Sequence, residues 1–304
     1  MAIDTHSTNR EVIIVQTQNQ YGSREHYYHF LFGCLLPLLE WVQNNDAFMK
    51  KYNLIIQSCG PMDIHLKIFP ENYITILKKD KHAKAFSSKA YRSIALEGFD
   101  TPKEYPIERI KYSTGALKKL LKTHCTYDFL NNSLESSGIP LVLLVERLPP
   151  PDQEKALRTE ALRSGAQRRS IPNIRELDKL LKKYNSKIVH FELIDLASQK
   201  KIIEQTSILV AQHGAALANI ILSNKKLYII EITPKNKLAE IQETGDYFGS
   251  LSKLLGHNFQ RISQDNDHAK VDIELIKRKI LEKLRIINLK NQSQQKSRSL
   301  GTGC

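Results

Sequence analysis

The stretch Gln212-His213-Gly214-Ala215 is where residue type and spacing first suggest chemistry. It lies between an apolar run, 208–211, of the kind that forms a strand buried on both faces, and a helix-forming stretch, 215–222. A strand that turns straight into a helix through a glycine leaves backbone N–H groups at the helix start, backed by the positive end of the helix dipole. Such a turn suits a phosphate, and His213, Gly214, Ala215 and, further along, Asn219 are the residues at hand. Alanines at 215, 216 and 218 also let a helix sit close on a sheet whatever the function.

A second stretch runs from Arg168-Arg169 through Asn173 to Glu176. Asn173 with Glu176 three residues on has the pattern of a capping box, which accounts for both without a ligand. It leaves the two arginines unexplained, and paired guanidinium groups suit bidentate contacts to a diphosphate. Glu231 lies in the apolar run 227–232, where a carboxylate needs a partner. A ribose diol and a neighbouring Lys are the two candidates. Asp265 and Asp267 are spaced like a metal-binding pair, but a polar loop before a helix is also where Asp caps and solubilises. No Gly-x-Gly-x-x-Gly or Walker-type loop is present, which removes the main support for a dinucleotide dehydrogenase or a P-loop enzyme.

These residues need a scaffold to bring them together. The chain has 304 residues, enough for two domains, with 41% hydrophobic and 25% charged residues. From residue 140 the pattern alternates: strands at 141–145, 187–191, 208–211, 227–232 and 259–262, helices at 174–184, 197–205, 215–222 and 246–255, and a long loop at 149–170. Repeated βα units with short connections imply a parallel sheet, whose ligands bind at the carboxyl ends of the strands. His213 and the 149–170 loop fall on that edge. Before residue 131 we expect strands at 11–16, 52–58 and 73–77 with helices at 26–39, 82–91 and 113–127, and a linker at 131–138. This gives an α/β chain with an N-terminal domain over 1–135, a second, C-terminal α/β domain over 136–265, a closing amphipathic helix over 266–290 and a disordered tail over 291–304.

The net charge is +13, and two segments carry most of it: nine Lys/Arg against three Asp/Glu in 155–183, and again nine against three in 270–304. A basic surface can serve nucleic acid, anionic lipid or a phosphorylated substrate. Cys34, Cys59, Cys125 and Cys304 show neither metal-ligand spacing nor a disulfide framework, and no uninterrupted apolar run reaches membrane-spanning length. We therefore expect a cytoplasmic protein with at most peripheral membrane contact.

Taken in order, Arg168-Arg169 with Asn173 and Glu176, then Gln212-His213-Gly214-Ala215-Ala216-Leu217-Ala218-Asn219, then Ile230-Glu231-Ile232-Thr233-Pro234, then Tyr247-Phe248 resemble the motifs of glycosyltransferase family 61. Tyr28-His29-Phe30-Leu31-Phe32 with Leu36-Pro37 is similar to that family's His-Phe-Leu and Leu-Pro motif. The chain departs from the pattern at His26, where relatives often carry Asn, and at Gly33, where they often carry Asp. The resemblance implies a GT-B-like fold with two Rossmann-like domains facing each other across a cleft. It also implies an inverting transfer from a UDP-sugar, of xylose or N-acetylglucosamine type, to a hydroxyl of a glycan acceptor. On that reading Arg168, Arg169, Asn173, His213, Gly214, Ala215, Asn219 and Glu231 bind the donor, with no metal and no further cofactor. An inverting displacement needs a base for the acceptor proton, and His29 is the candidate, followed by His26 and Glu25. The alternative is a basic nucleic-acid-binding or scaffolding protein on a degenerate transferase fold. Against it, the positive charge is not interleaved with exposed aromatics, so no nucleic-acid partner is expected.

Overall fold

The computed structural model describes residues 11–18, 23–45, 52–70, 73–100, 105–123, 141–149 and 165–300. They form two compact units, each built on its own parallel sheet. One comprises described residues within Met1–Tyr127 together with Asp195–Lys200, and the other comprises those within Asp128–Ile194 and Lys201–Cys304.

In the first unit, β1 (Glu11–Gln18), β2 (Tyr52–Gln57), β3 (Ile74–Leu77) and β4 (Arg92–Glu97) lie in the order β3-β2-β1-β4, all parallel. The β-branched run Val12–Val15 makes β1 the central strand, with Ile13 and Ile14 fully buried. The chain winds to one side of β1 through β2 and β3, then crosses to the other for β4. The crevice between the carboxyl ends of β1 and β4 is therefore the switch point where ligands bind in open α/β sheets. Strand β4 falls where no element was expected, and the helix predicted at 82–91 is Lys79–Ser87. Arg-Ser-Ile-Ala-Leu-Glu carries little strand signal because β4 is an edge strand, half exposed, paired only with β1.

A continuous helix over 27–44 follows β1. Its middle, Leu31–Leu35, widens into a π-turn in which the Leu36 N–H reaches back to the Leu31 carbonyl. Pro37 has no N–H to donate, so the ladder must be interrupted here, and the wider turn places that break inside the core. Residues 30 to 39 are all buried, as the breadth of the apolar surface requires.

The second unit contains β5 (Leu141–Val145), β6 (Ser186–Val189), β7 (Thr206–Gln212), β8 (Tyr228–Pro234) and β9 (Asn258–Gln264), in the order β6-β5-β7-β8-β9 and again all parallel. Its switch point lies between β5 and β7. Val142, Leu144, Ile208, Val210, Ile230 and Ile232 pack against Leu177 and Leu181 of helix Ile174–Leu181 and against Ile276, Ile280 and Leu284 of the last helix. Each such side chain contributes about 1.5–3 kcal/mol of burial. The last helix runs from Ile273 to Leu300, past the expected end at 290, because its Gln, Lys and Arg residues are good helix formers. A further helix, Lys235–Thr244, was not expected from sequence. The linker predicted at 131–138 lies outside the described residues. Among the described residues no helix is long and apolar enough to cross a membrane. The chain is thus α/β, with the two Rossmann-like units of a GT-B-like fold.

Candidate active site

At the β5/β7 switch point the chain leaves β7 through His213 and enters a 3-10 helix at Ala215–Leu222 by way of Gly214, whose backbone is at φ 156°, ψ −179°. That conformation is essentially restricted to glycine. A Cβ on Gly214 would also point at the Arg147 Nη1, 3.4 Å away. Arg147 leaves the carboxyl end of the fully buried strand β5, so the two strand ends place its guanidinium against the Gly214 turn.

Arg169 approaches the same turn. It is only 4% exposed, and its Nη1 donates to the His213 carbonyl at 2.7 Å. Its Nε lies 3.8 Å from Asp267 Oδ1, beyond hydrogen-bond reach. Burial, with Arg168 and Arg147 nearby, pushes the Arg169 guanidinium down to about 10. Burial and the neighbouring Arg168 lower Arg147 as well, although Glu192 works against this. Arg147 Nη1 and Arg169 Nε are buried donors with no hydrogen-bond partner among the described residues. Such donors call for an acceptor from outside the protein, and an anion suits cationic ones. Arg168 is exposed beside them.

The segment carrying Arg168 and Arg169 is stitched to the end of β9. Ser170 N–H donates to the Asp267 carbonyl at 2.8 Å, and Gln212 and Gln264 both donate to the Ser170 carbonyl, at 3.0 and 2.9 Å. The capping box does not form. Asn173 instead donates to the Val271 carbonyl at 2.8 Å and accepts the Val271 N–H at 3.0 Å. An amide satisfied on both sides by buried backbone prevails over a helix cap that water could replace.

Among the described residues the protein partners of Glu231 do not include a neighbouring Lys. One oxygen accepts from His213 Nδ1 at 2.8 Å and the other from Arg261 Nε at 2.6 Å, with the residue fully buried. Burial alone would raise this carboxyl, but the His213 hydrogen bond and the Arg261 charge hold it below the ordinary carboxylate range. Asn219 is fully buried inside the 3-10 helix, whereas Ala215 is half-buried at its start. Asp265 pairs with Lys235 at 2.7 Å and Asp267 accepts from Asn236 at 2.9 Å. Among the described residues no three His, Cys, Asp or Glu side chains gather as a metal site.

In the first unit, His29 lies on the first helix after β1, and its Nδ1 is 3.1 Å from Oδ2 of Asp100, which follows β4. The β1/β4 switch point thus holds an imidazole paired with a fully buried carboxylate. Gly98 makes the approach possible, since a Cβ there would lie 2.8 Å from the Gln18 carbonyl and 3.0 Å from the Cα of Gly33. The carboxylate beside His29 therefore comes from Asp100 on the neighbouring strand end, and position 33 supplies closeness instead of charge. His26 and Glu25 form the turn that starts the helix. The His26 carbonyl accepts the Phe30 N–H at 2.8 Å, and the Glu25 N–H donates to Ser23 Oγ at 3.2 Å.

Arg147, Arg261 and Asp246 were not singled out by sequence reading. A signal for Arg147 existed, since it lies two residues after a buried parallel strand, close to where His213 stands after β7. Arg261 and Asp246 carried none, because a charged residue in an edge strand and a helix cap are ordinary.

One all-parallel sheet carries at its switch point guanidinium N–H groups with no hydrogen-bond partner among the described residues, and the other carries an imidazole–carboxylate pair. The Glycosyltransferase 61 family model matches residues 27–230, well over half of the chain, and the chain belongs to that family. It is a glycosyltransferase, acting with a sugar donor and a glycan acceptor. No curated protein matches it. The matched span includes His29, Arg147, Arg168, Arg169 and His213, and stops one residue short of Glu231.

Proposed function

We propose that this glycosyltransferase is an inverting enzyme that moves a sugar of xylose or N-acetylglucosamine type from a UDP-sugar to a hydroxyl of a glycan. The observation that carries the donor reading is the pair of buried, unpartnered guanidinium N–H groups of Arg147 and Arg169 beside the glycine turn at Gly214. A diphosphate supplies acceptors for both, and the first N–H groups of the 3-10 helix add to the same anion site. Arg168 completes the clamp from the exposed side. Fixed positive groups at the diphosphate can do the work that a divalent ion does in other transferases, so the reaction needs no metal. The uridine and the sugar type are inferred from the family resemblance.

His29 takes the acceptor proton. Asp100 on its Nδ1 holds the ring so that Nε2 is the basic nitrogen, and a His suits proton removal at neutral pH better than an ordinary carboxylate. The acceptor oxygen attacks the anomeric carbon as the bond from that carbon to the diphosphate oxygen breaks, which inverts the configuration. Because the unpartnered N–H groups of Arg147 and Arg169 are buried, they offer little to a nucleic-acid backbone, which is contacted by exposed cations. A screen of UDP-sugars read as UDP release tests the proposal. Turnover with one UDP-sugar supports it, and the absence of UDP binding by calorimetry sinks it.

A further inference from the structure

Glu231 lies inside a longer chain of charged groups than a single ion pair. Arg261 gives its Nε to Glu231 at 2.6 Å and its Nη2 to Asp246 at 2.7 Å. Asp246 in turn accepts the Gly249 N–H at 2.9 Å as the cap of helix Tyr247–Leu254, and a Cβ at position 249 would collide with that carboxylate. Phe248 of the same helix sets its ring edge-on to His213, with centroids 5.4 Å apart. The order is therefore Gly249, Asp246, Arg261, Glu231, His213, running from a helix start across β9 and β8 to the anion site.

We propose that Glu231 is a positioning residue. Backed by Arg261 and Asp246, it fixes the Nδ1–H of His213, so that Nε2–H is the edge that donates to the phosphate oxygen leaving the anomeric carbon. This rests on the diphosphate reading of the site given above. An ionised carboxylate can only accept, so the hydrogen between Glu231 and His213 belongs to Nδ1. Nε2 has no protein partner among the described residues, and the His213 side chain is 12% exposed. In the transfer the electron pair of the breaking C–O bond stays on the phosphate oxygen, the acceptor proton goes to His29, and Nε2–H stabilises the new charge without leaving the ring. Both nitrogens must then be protonated in the complex. The charged groups around His213 are Glu231 on β8, Glu240 on the helix that follows β8, Arg169 on its carbonyl, and Arg261 behind Glu231.

Nitrogen-15 NMR of the histidine rings, with His213 assigned by the His213→Gln variant, tests the arrangement in the unaltered protein. We expect the neutral ring to carry its hydrogen on Nδ1 without ligand, and both nitrogens to be protonated when UDP is bound. Glu231→Gln should lower kcat by about 10²-fold. The Kd for UDP should change far less than kcat. Arg261→Met, which keeps the carboxylate, should retain the Nδ1–H form. A neutral ring protonated on Nε2 in a protein that binds UDP normally overturns the positioning role alone. A His213 signal that UDP leaves untouched overturns the diphosphate reading together with the proposal.

Discussion

Each unit presents the same pair of groups at its switch point, a histidine whose Nδ1 meets a buried carboxylate: His29 with Asp100 at 3.1 Å, and His213 with Glu231 at 2.8 Å. What surrounds the two pairs differs. Glu231 is shared with Arg261, and three arginines stand beside His213. Asp100 reaches His29 among aromatic rings, with Tyr28 edge-on to the imidazole at 5.2 Å. In the proposed function the dyad beside the guanidinium groups holds negative charge, and the dyad beside Tyr28 takes the acceptor proton with Asp100 balancing the charge it gains. The carboxylate fixes which nitrogen is presented, and the wider electrostatic setting decides the task.

The largest expected effect separates the two tasks. His29→Ala should reduce transfer by about 10²-fold or more while leaving the calorimetric affinity for UDP unchanged. Full activity in a folded variant would make His29 a packing residue and turn attention to Glu25.

Next, Arg147→Ala and Arg169→Ala should each weaken UDP binding by about 1.5–3 kcal/mol, with Arg168→Ala weaker because that side chain is exposed. Unchanged affinity in both buried-arginine variants would erase the difference between the two dyads.

Acid should affect the units at different points. Burial holds His65 down to about 4, so the unfolded chain binds a proton that the folded one refuses. Stability of the first unit is then full above about 6.5 and falls, by about 2–3 kcal/mol in all, as pH drops to about 4. Glu231 behaves as a depressed carboxyl. Its contribution is present above the usual carboxylate range and is lost as pH falls below it. Thermal melts against pH should show the first slope flattened in His65→Phe and the second in Glu231→Gln. The smallest expected effect is none: turnover should survive EDTA, and restoration of lost activity by Mn²⁺ or Mg²⁺ would refute the metal-free clamp.

Much of the second unit was legible because its strands are continuous apolar runs and its glycine turn has a distinct composition. Arg168, Arg169, His213 and Glu231 do gather near one sheet edge. What sequence could not convey was pairing across distance. Asn173 reads as a cap until Val271 is seen opposite it, and Glu231 reads as a ribose ligand until Arg261 arrives from the next strand. In the first unit, Gly33 reads as a lost carboxylate until Asp100 is found to fill that place from β4, a strand too polar to be recognised.

The stitching between the 168–173 loop and the 264–271 segment has a consequence for anyone recombining this chain with a relative. Ser170, Gln212 and Asn173 are matched to Asp267, Gln264 and Val271 by position as teeth are to a rack. A chimera with its crossover between residues 174 and 263 imports one half of that rack without the other. Such proteins should fold around an intact sheet yet misplace the arginines, so the two segments are inherited together or donor binding is lost.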